Sequence, residues 1–236
     1  MDGFDHSPAM HRRNWFSSAG RCALSMTVGG AAVAMQGVAV ISAAEVDEPH
    51  KREKTEFQHA CMTLPYSEFS LQRALEGIQR AGYRYVAWGV QHRGPGGEKV
   101  PVIAEDAPPA TAKELAKHCR DLGLEPVMMF STIYPEHPRA MAVLTNRIKQ
   151  ASAAGISQVL TFGHTQGGNR KLWVERFKEL GPIAGDHRVV IVVKQHGGET
   201  GTGQACAEIT REVNHPFVKV NYDADRKSTR LNSSHT

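Results

Sequence analysis

Residues 189–203, with the sequence VVIVVKQHGGETGTG, constrain the fold more than any other part of the chain. The first five residues are four Val and one Ile, without the alternation of a strand that has one face in water. Such a run is typical of a strand buried on both faces of a parallel sheet. Polar residues from Lys194 onward follow directly. Because ligands of α/β proteins bind at the carboxyl ends of strands, we expect the functional site here.

The rest of the body repeats this order of strand and helix. Strands are predicted at residues 57–64, 83–90, 125–130, 157–162, 189–193 and 217–222, and helices at 71–81, 111–122, 138–154, 169–183 and 204–213. Each unit has roughly 30 residues, the size of a βαβ crossover. No two strands are joined by a two-residue hairpin, and a glycine-rich loop is expected at residues 94–97. The pattern predicts one parallel sheet, either an open doubly wound sheet or part of an eight-unit barrel.

Composition indicates one globular body with unusual ends. The chain has 236 residues, of which 41% are hydrophobic and 22% charged, and no internal stretch is apolar enough to span a membrane. The net charge of +4 falls to +1 between residues 45 and 224, where 22 Lys and Arg face 21 Asp and Glu. A near-neutral body gives no electrostatic footprint for nucleic acid. The sequence leaves the oligomeric state open and is compatible with a homo-oligomer.

Residues 1–44 resemble an export signal of the twin-arginine type. Arg12 and Arg13 precede Asn-Trp-Phe, and an uncharged run rich in Ala, Val and Gly ends in Ser-Ala-Ala at residue 44. We therefore expect an exported, periplasmic protein with a charged linker at residues 45–56. The alternative is a membrane anchor that is kept, which the glycines of the run disfavour.

The last residues look foreign to the fold. Residues 225–236 are polar, lack an apolar period and resemble the translation of a sequencing-adapter oligonucleotide. We therefore place the folded body at residues 57–224 and expect the natural sequence to continue beyond this point.

Four segments carry a family resemblance. LQRALEGIQRAGYRYVAWG, LAKHCRDLGLEPVMMFS, RIKQASAAGISQVLTFG and VVKQHGGETGTGQACAEITREVNHPFVKVNYDA resemble the sugar phosphate isomerase/epimerase group of xylose isomerase-like barrels. The resemblance covers residues 57–223 and implies an incomplete (β/α)8 TIM barrel with about six of the eight strands. The group includes isomerases, epimerases, dehydratases and lyases. Its DNA-repair branch is disfavoured by the charge and the export signal.

The resemblance also implies a divalent metal, Mn, Mg, Co or Zn. The family holds it with a Glu after strand five, an Asp after strand six, and a His and a Glu further on. Asp223 matches the strand-six position, but Lys194 stands at the strand-five position and cannot bind a metal while protonated. His196, two residues on, is the expected replacement ligand. Lys194 and His196 are the expected catalytic pair, with Lys194 donating to a substrate hydroxyl or enolate oxygen.

Three further residues are predicted to bind substrate. His92 and His164 end strands in GVQH and TFGH, and Glu199 lies in the glycine loop. For each, a surface-loop position remains open. The loop has the GxxxxG spacing at residues 198–203, but Gln-Ala follows where a nucleotide-binding loop needs Lys and Ser or Thr. Its backbone N–H groups could still hold an anion at the start of the next helix.

These observations together predict a metal-assisted sugar isomerase or epimerase that acts by proton transfer on a small-molecule sugar or keto-sugar. One alternative is a non-catalytic carbohydrate-binding barrel, because Lys194 replaces the expected Glu. A sugar lyase or hydratase of the same fold is the other.

Overall fold

The structure, a computed structural model, describes residues 57–223. The predicted signal at residues 1–44, the linker at 45–56 and the tail at 225–236 lie outside the described residues, as does residue 224. Within residues 57–223, none of the helices combines the length and apolarity needed to cross a bilayer.

Six strands form one parallel sheet, and two more form a separate hairpin. The strands are β1 (Ala60–Met62), β2 (Tyr85–Trp88), β3 (Gln91–Arg93), β4 (Lys99–Pro101), β5 (Glu125–Phe130), β6 (Gln158–Phe162), β7 (Val190–Lys194) and β8 (Val218–Asn221). The sheet order is β1-β2-β5-β6-β7-β8, and every neighbouring pair is parallel. Each crossover therefore leads to the adjacent strand, as in consecutive units of a (β/α)8 barrel. The predicted parallel α/β architecture is confirmed.

Five helices connect these strands. They are α1 (Leu71–Arg80), α2 (Pro109–Asp121), α3 (Ala140–Ala154), α4 (Arg170–Asp186) and α5 (Gly203–Val213). Side-chain caps begin three of them: Ser70, Asn169 and Thr202 each accept a hydrogen bond from the backbone N–H three residues on. The apolar helix faces and strands bury one core, whose largest side chains include Trp88, Trp173 and Phe177.

Two predictions along the chain need correction. The first strand covers only Ala60–Met62, because Pro65 lies in a 3₁₀ turn at Leu64–Tyr66 and residues 57–59 lie exposed before the strand. The region after β2 is not a plain loop: β3 and β4 pair antiparallel around residues 94–98. Gly97 turns this hairpin with φ +89°, a conformation that L side chains rarely adopt.

Polar side chains of α3 anchor the chain that enters α2. Gln150, which is fully buried, donates to the carbonyl oxygens of Ala104 (3.0 Å) and Ala107 (2.8 Å) and accepts from Arg147 (2.9 Å). Arg147 also donates to the carbonyl of Ile103 at 2.9 Å. The carbonyl groups of this irregular segment thereby receive hydrogen bonds from side chains, although no neighbouring strand pairs with them.

Replacing Gln150 by Ala should therefore lower the free energy of unfolding by about 2 kcal/mol or more, since it leaves buried polar groups unpaired. Urea unfolding measures the loss. The matched control is Gln166→Ala on an exposed loop, expected within about 0.5 kcal/mol of wild type. Equal effects of the two substitutions would contradict the anchoring role.

His92 in β3 couples stability to pH. Its side chain is buried, and Nδ1 donates to the carbonyl of Phe69 at 3.0 Å, so a second proton on Nε2 would find no partner among the described residues. Burial lowers the pKa of His92, with a smaller contribution from Lys99, against the opposing effect of the carbonyls of Phe69 and Tyr66. The unfolded chain therefore takes up this proton more readily than the folded protein.

We expect the stabilising contribution of neutral His92 to be complete above about pH 6.5, the unfolded pKa, and lost as pH falls towards the lower folded pKa. Urea unfolding at about pH 7.5 and about pH 5.5 should show a smaller acid-induced loss in His92→Gln than in wild type. His59→Gln, at an exposed position, is the control. An unchanged loss in His92→Gln would show that other groups carry the pH dependence.

Candidate functional site

The register of the sheet brings the predicted residues of three strands to one edge. Phe162 pairs with Lys194, and Lys194 pairs with Asn221, so the ends of β6, β7 and β8 are level. His164, His196 and Asp223 follow these residues by two positions, beyond the strand ends, and their side-chain contacts bring them to this edge.

Lys194 and Asp223 form an ion pair at this edge. Lys194 Nζ lies 2.7 Å from Asp223 Oδ2, and the two side chains are only 24% and 18% exposed. Lys194 Nζ also approaches the carbonyl of Gln195 at 3.5 Å. Because both side chains are largely buried, water screens the attraction between them less than it screens a surface salt bridge.

His196, two residues after Lys194, is held in one orientation. Its Nδ1 lies 2.8 Å from the carbonyl oxygen of Gly163, which can only accept, so Nδ1 carries the proton. The ring lies 4.7 Å from the ring of Phe162, centroid to centroid. His196 in its neutral form therefore offers Nε2 as the nitrogen that accepts or exchanges a proton.

His164 belongs to a second group on the same edge. Its ring stacks on Tyr134 with centroids 3.8 Å apart, and Tyr134 meets Phe162 edge-on at 6.1 Å. His164 Nε2 lies 3.8 Å from Glu136 Oε2, and the other Glu136 oxygen accepts from the N–H of Asn169 at 3.1 Å. Aromatic rings thus connect His164 to His196 across the ends of β6 and β7.

Sequence reasoning missed Tyr134 and Glu136. Both lie between β5 and α3, in the segment STIYPEHP, for which the sequence pattern predicts only a connection. The available signal was their position, since this segment follows a strand end as GHTQ and KQHG do.

The glycine loop after β7 is packed against the loop after β6. A Cβ on Gly197 would collide with the carbonyl oxygen of Thr165, and one on Gly198, at φ +48°, with that of Gly167. The N–H groups of Gly198, Glu199 and Gly201 donate to the carbonyls of Thr165, Gly167 and Gly198. These three donors are therefore used within the protein, and the expectation that N–H groups at the start of α5 hold an anion stays a prediction.

The other two predicted substrate residues lie on different elements of the fold. Glu199 is half-buried in the short 3₁₀ turn Gly198–Thr200 and packs against Gly168. His92 is not brought to the group, because it lies on the hairpin after β2, and β5 and β6 separate β2 from β7. Its buried contact with Phe69 is a structural one.

The residues described do not fit a divalent metal. In the part of the chain between residues 57 and 223, no three His, Cys, Asp or Glu side chains are grouped closely enough to hold an ion. Of the two predicted ligands, Asp223 is engaged by the Lys194 ammonium, whereas the contact of His196 Nδ1 with Gly163 leaves its Nε2 available. A divalent cation beside the Lys194 ammonium would also be repelled by its positive charge.

Comparison with solved structures shows the same fold. The chain resembles a xylose isomerase-like TIM barrel protein from Mycobacterium smegmatis in complex with magnesium, at a TM-score of 0.54 and 16% identity over 70% of this chain and 63% of the other. It also resembles the IOLI protein with a bound zinc atom (TM-score 0.53, 15% identity, 68% and 60% covered). A third is AsbF of Bacillus anthracis, a probable 3-DHS dehydratase (TM-score 0.52, 14% identity, 70% and 62% covered).

The chain spans about 60% of the length of these three proteins. No curated protein matches its sequence. A sequence model of the xylose isomerase-like TIM barrel family, however, matches residues 75–225, which is more than half of the chain. With six parallel strands in barrel order, the chain belongs to the xylose isomerase-like TIM barrel family.

Proposed function

We propose that this protein is a sugar isomerase or epimerase that moves a proton on a sugar or keto-sugar at the carboxyl edge of β6, β7 and β8. The observation that carries the proposal is the largely buried Lys194–Asp223 pair, with His196 two residues after Lys194 and its ring against Phe162, the β6 partner of Lys194. Membership of the family and the carboxyl-edge position support it.

The chemistry needs a base and a stabiliser of negative charge. Removing a proton from the carbon next to a carbonyl leaves an enediolate, whose oxygen takes up the charge. The Lys194 ammonium can donate to that oxygen, and His196 Nε2 can accept the proton. Returning the proton to the former carbonyl carbon, while the hydroxyl proton of the neighbouring oxygen passes to the former carbonyl oxygen, gives an isomer. Protonation of the original carbon on its opposite face, by a second donor on that side, gives an epimer. No step in this scheme requires a metal ion.

The surroundings suit a small polar ligand with an apolar face. Tyr134 and Phe162 provide aromatic surface, while His164 and Glu136 add a polar pair beside it.

A non-catalytic sugar-binding barrel is the second candidate. It is favoured by Lys194 at the position where the family resemblance places a metal-binding Glu. A lyase or hydratase is a third, supported by the structural likeness to the AsbF protein, itself a probable 3-DHS dehydratase.

Solvent deuterium exchange separates these candidates. The complete gene product is incubated in D₂O with a panel of aldoses, ketoses and 3-keto sugars, and ¹H NMR reports loss of the C–H signal next to the carbonyl. We expect exchange with at least one sugar and a rate about 10²-fold lower in Lys194→Met, which removes the donor to the enediolate oxygen.

Lys178→Met, on the exposed face of α4, is the matched control and should exchange at the wild-type rate. Sugar binding without exchange would establish the non-catalytic alternative. Loss of water from the sugar, seen as a new vinyl signal, would establish the lyase. Exchange that is equal in wild type and Lys194→Met would reject the role of Lys194.

We also propose that the protein works in the periplasm, on the basis of its twin-arginine-like N-terminal residues. Replacing Arg12 and Arg13 by Lys should leave the protein in the cytoplasmic fraction, because the signal is read by a receptor specific for that pair. Cell fractionation and immunoblotting measure the distribution. An unchanged periplasmic fraction would contradict the proposal.

A further inference from the structure

We propose that the Lys194 ammonium takes the place of a divalent metal ion at the carboxyl edge of β7 and β8, so that this barrel supplies its positive charge from its own chain. The inference concerns cation binding and stands on geometry, independently of whether the protein isomerises a sugar.

The position of the ammonium is the first argument. Nζ lies 2.7 Å from Asp223 Oδ2, which is the hydrogen-bond distance of a charge-assisted pair. A divalent ion bound to the same carboxylate would sit within a few ångströms of Nζ. Two cations at that separation repel strongly in a site with limited solvent access, so the ammonium and the ion exclude each other.

The burial of the pair is the second argument. Both side chains are more than three-quarters buried, and Nζ has a second acceptor in the carbonyl of Gln195. A lysine on a fully exposed position could swing into water at little cost. Here the register that holds Lys194 beside Asn221, two residues before Asp223, keeps the ammonium at the carboxylate.

The third argument concerns the other ligands that residues 57–223 offer to an ion at this edge. His196 offers one nitrogen only, Nε2, because Nδ1 donates to the carbonyl of Gly163. The second acid–imidazole group, Glu136 with His164, consists of two side chains 3.8 Å apart, and one Glu136 oxygen is taken by the N–H of Asn169. Across the described residues these groups do not combine into a set of three.

Two structural neighbours provide a comparison for this inference. One is described in complex with magnesium and another with a bound zinc atom, so the same fold accommodates ions elsewhere. In this chain, the positive charge at the strand end is covalently fixed and donates three hydrogen bonds instead of accepting lone pairs. It therefore favours hydroxyl, carbonyl or enolate oxygens singly, and does not chelate two oxygens as an ion does.

The test is Mn²⁺ binding to the complete, chelator-stripped protein, measured by the electron paramagnetic resonance signal of free Mn²⁺. We expect wild type to bind no stoichiometric Mn²⁺ with a Kd below about 1 mM, and Asp223→Asn to behave the same. Lys194→Glu replaces the ammonium by a carboxylate beside Asp223 and should bind Mn²⁺ at least about tenfold more tightly than wild type. Lys194→Gln removes the charge without adding a ligand and should fall between them.

Lys178→Glu adds a carboxylate at an exposed site on α4 and is the matched control, expected to bind as wild type does. One Mn²⁺ per chain in wild type, lost in Asp223→Asn, would overturn the inference, as would equal affinity in Lys194→Glu and Lys178→Glu. Circular dichroism checks the fold of each variant. If Lys194→Glu does not fold, the comparison of wild type with Asp223→Asn decides alone.

The deuterium-exchange assay keeps this inference apart from the proposed function. Exchange that survives excess chelator supports both. Exchange that is abolished by chelator and restored by Mn²⁺ overturns the inference while leaving the proposed proton transfer intact.

Discussion

The site depends on parallel pairing in register between β6, β7 and β8. Because Phe162, Lys194 and Asn221 are level, the residues that follow each strand begin at one edge of the sheet. A shift of one residue in β8 would turn Asp223 to the opposite face and leave Lys194 without its carboxylate. The helices α4 and α5 maintain that register by burying Trp173, Phe177 and Ile209 in the same core.

Much of the fold could be predicted from the sequence, because buried parallel strands have an unbroken apolar signal. The predicted strand at residues 125–130 has the observed bounds, and the predicted strand at 189–193 differs from β7 by one residue at each end. The hairpin of β3 and β4 could not be predicted in this way. Its six residues are mostly exposed and polar, and its partner contacts are local, so no period marks it.

Site residues were predictable where polar residues follow a strand with a strong apolar signal. Lys194, His196 and Asp223 were found because the strands before them are easily recognised, and the structure pairs Lys194 with Asp223 directly. The ion pair between Lys194 and Asp223 was not predictable, since the family resemblance assigns Asp223 to a metal and does not indicate that Lys194 contacts it. Glu136 and Tyr134 were missed for a different reason: a segment rich in Pro has the local pattern of a simple connection.

The contact between the loops after β6 and β7 restricts how this edge can diversify. Backbone hydrogen bonds join the two loops, and Gly197 and Gly198 allow an approach that any side chain would block. The two loops that carry His164 and His196 therefore form one packed unit. Lengthening either loop would disturb both imidazoles at once, so descendants of this sequence can alter ligand preference more readily through the separate segment of Tyr134 and Glu136.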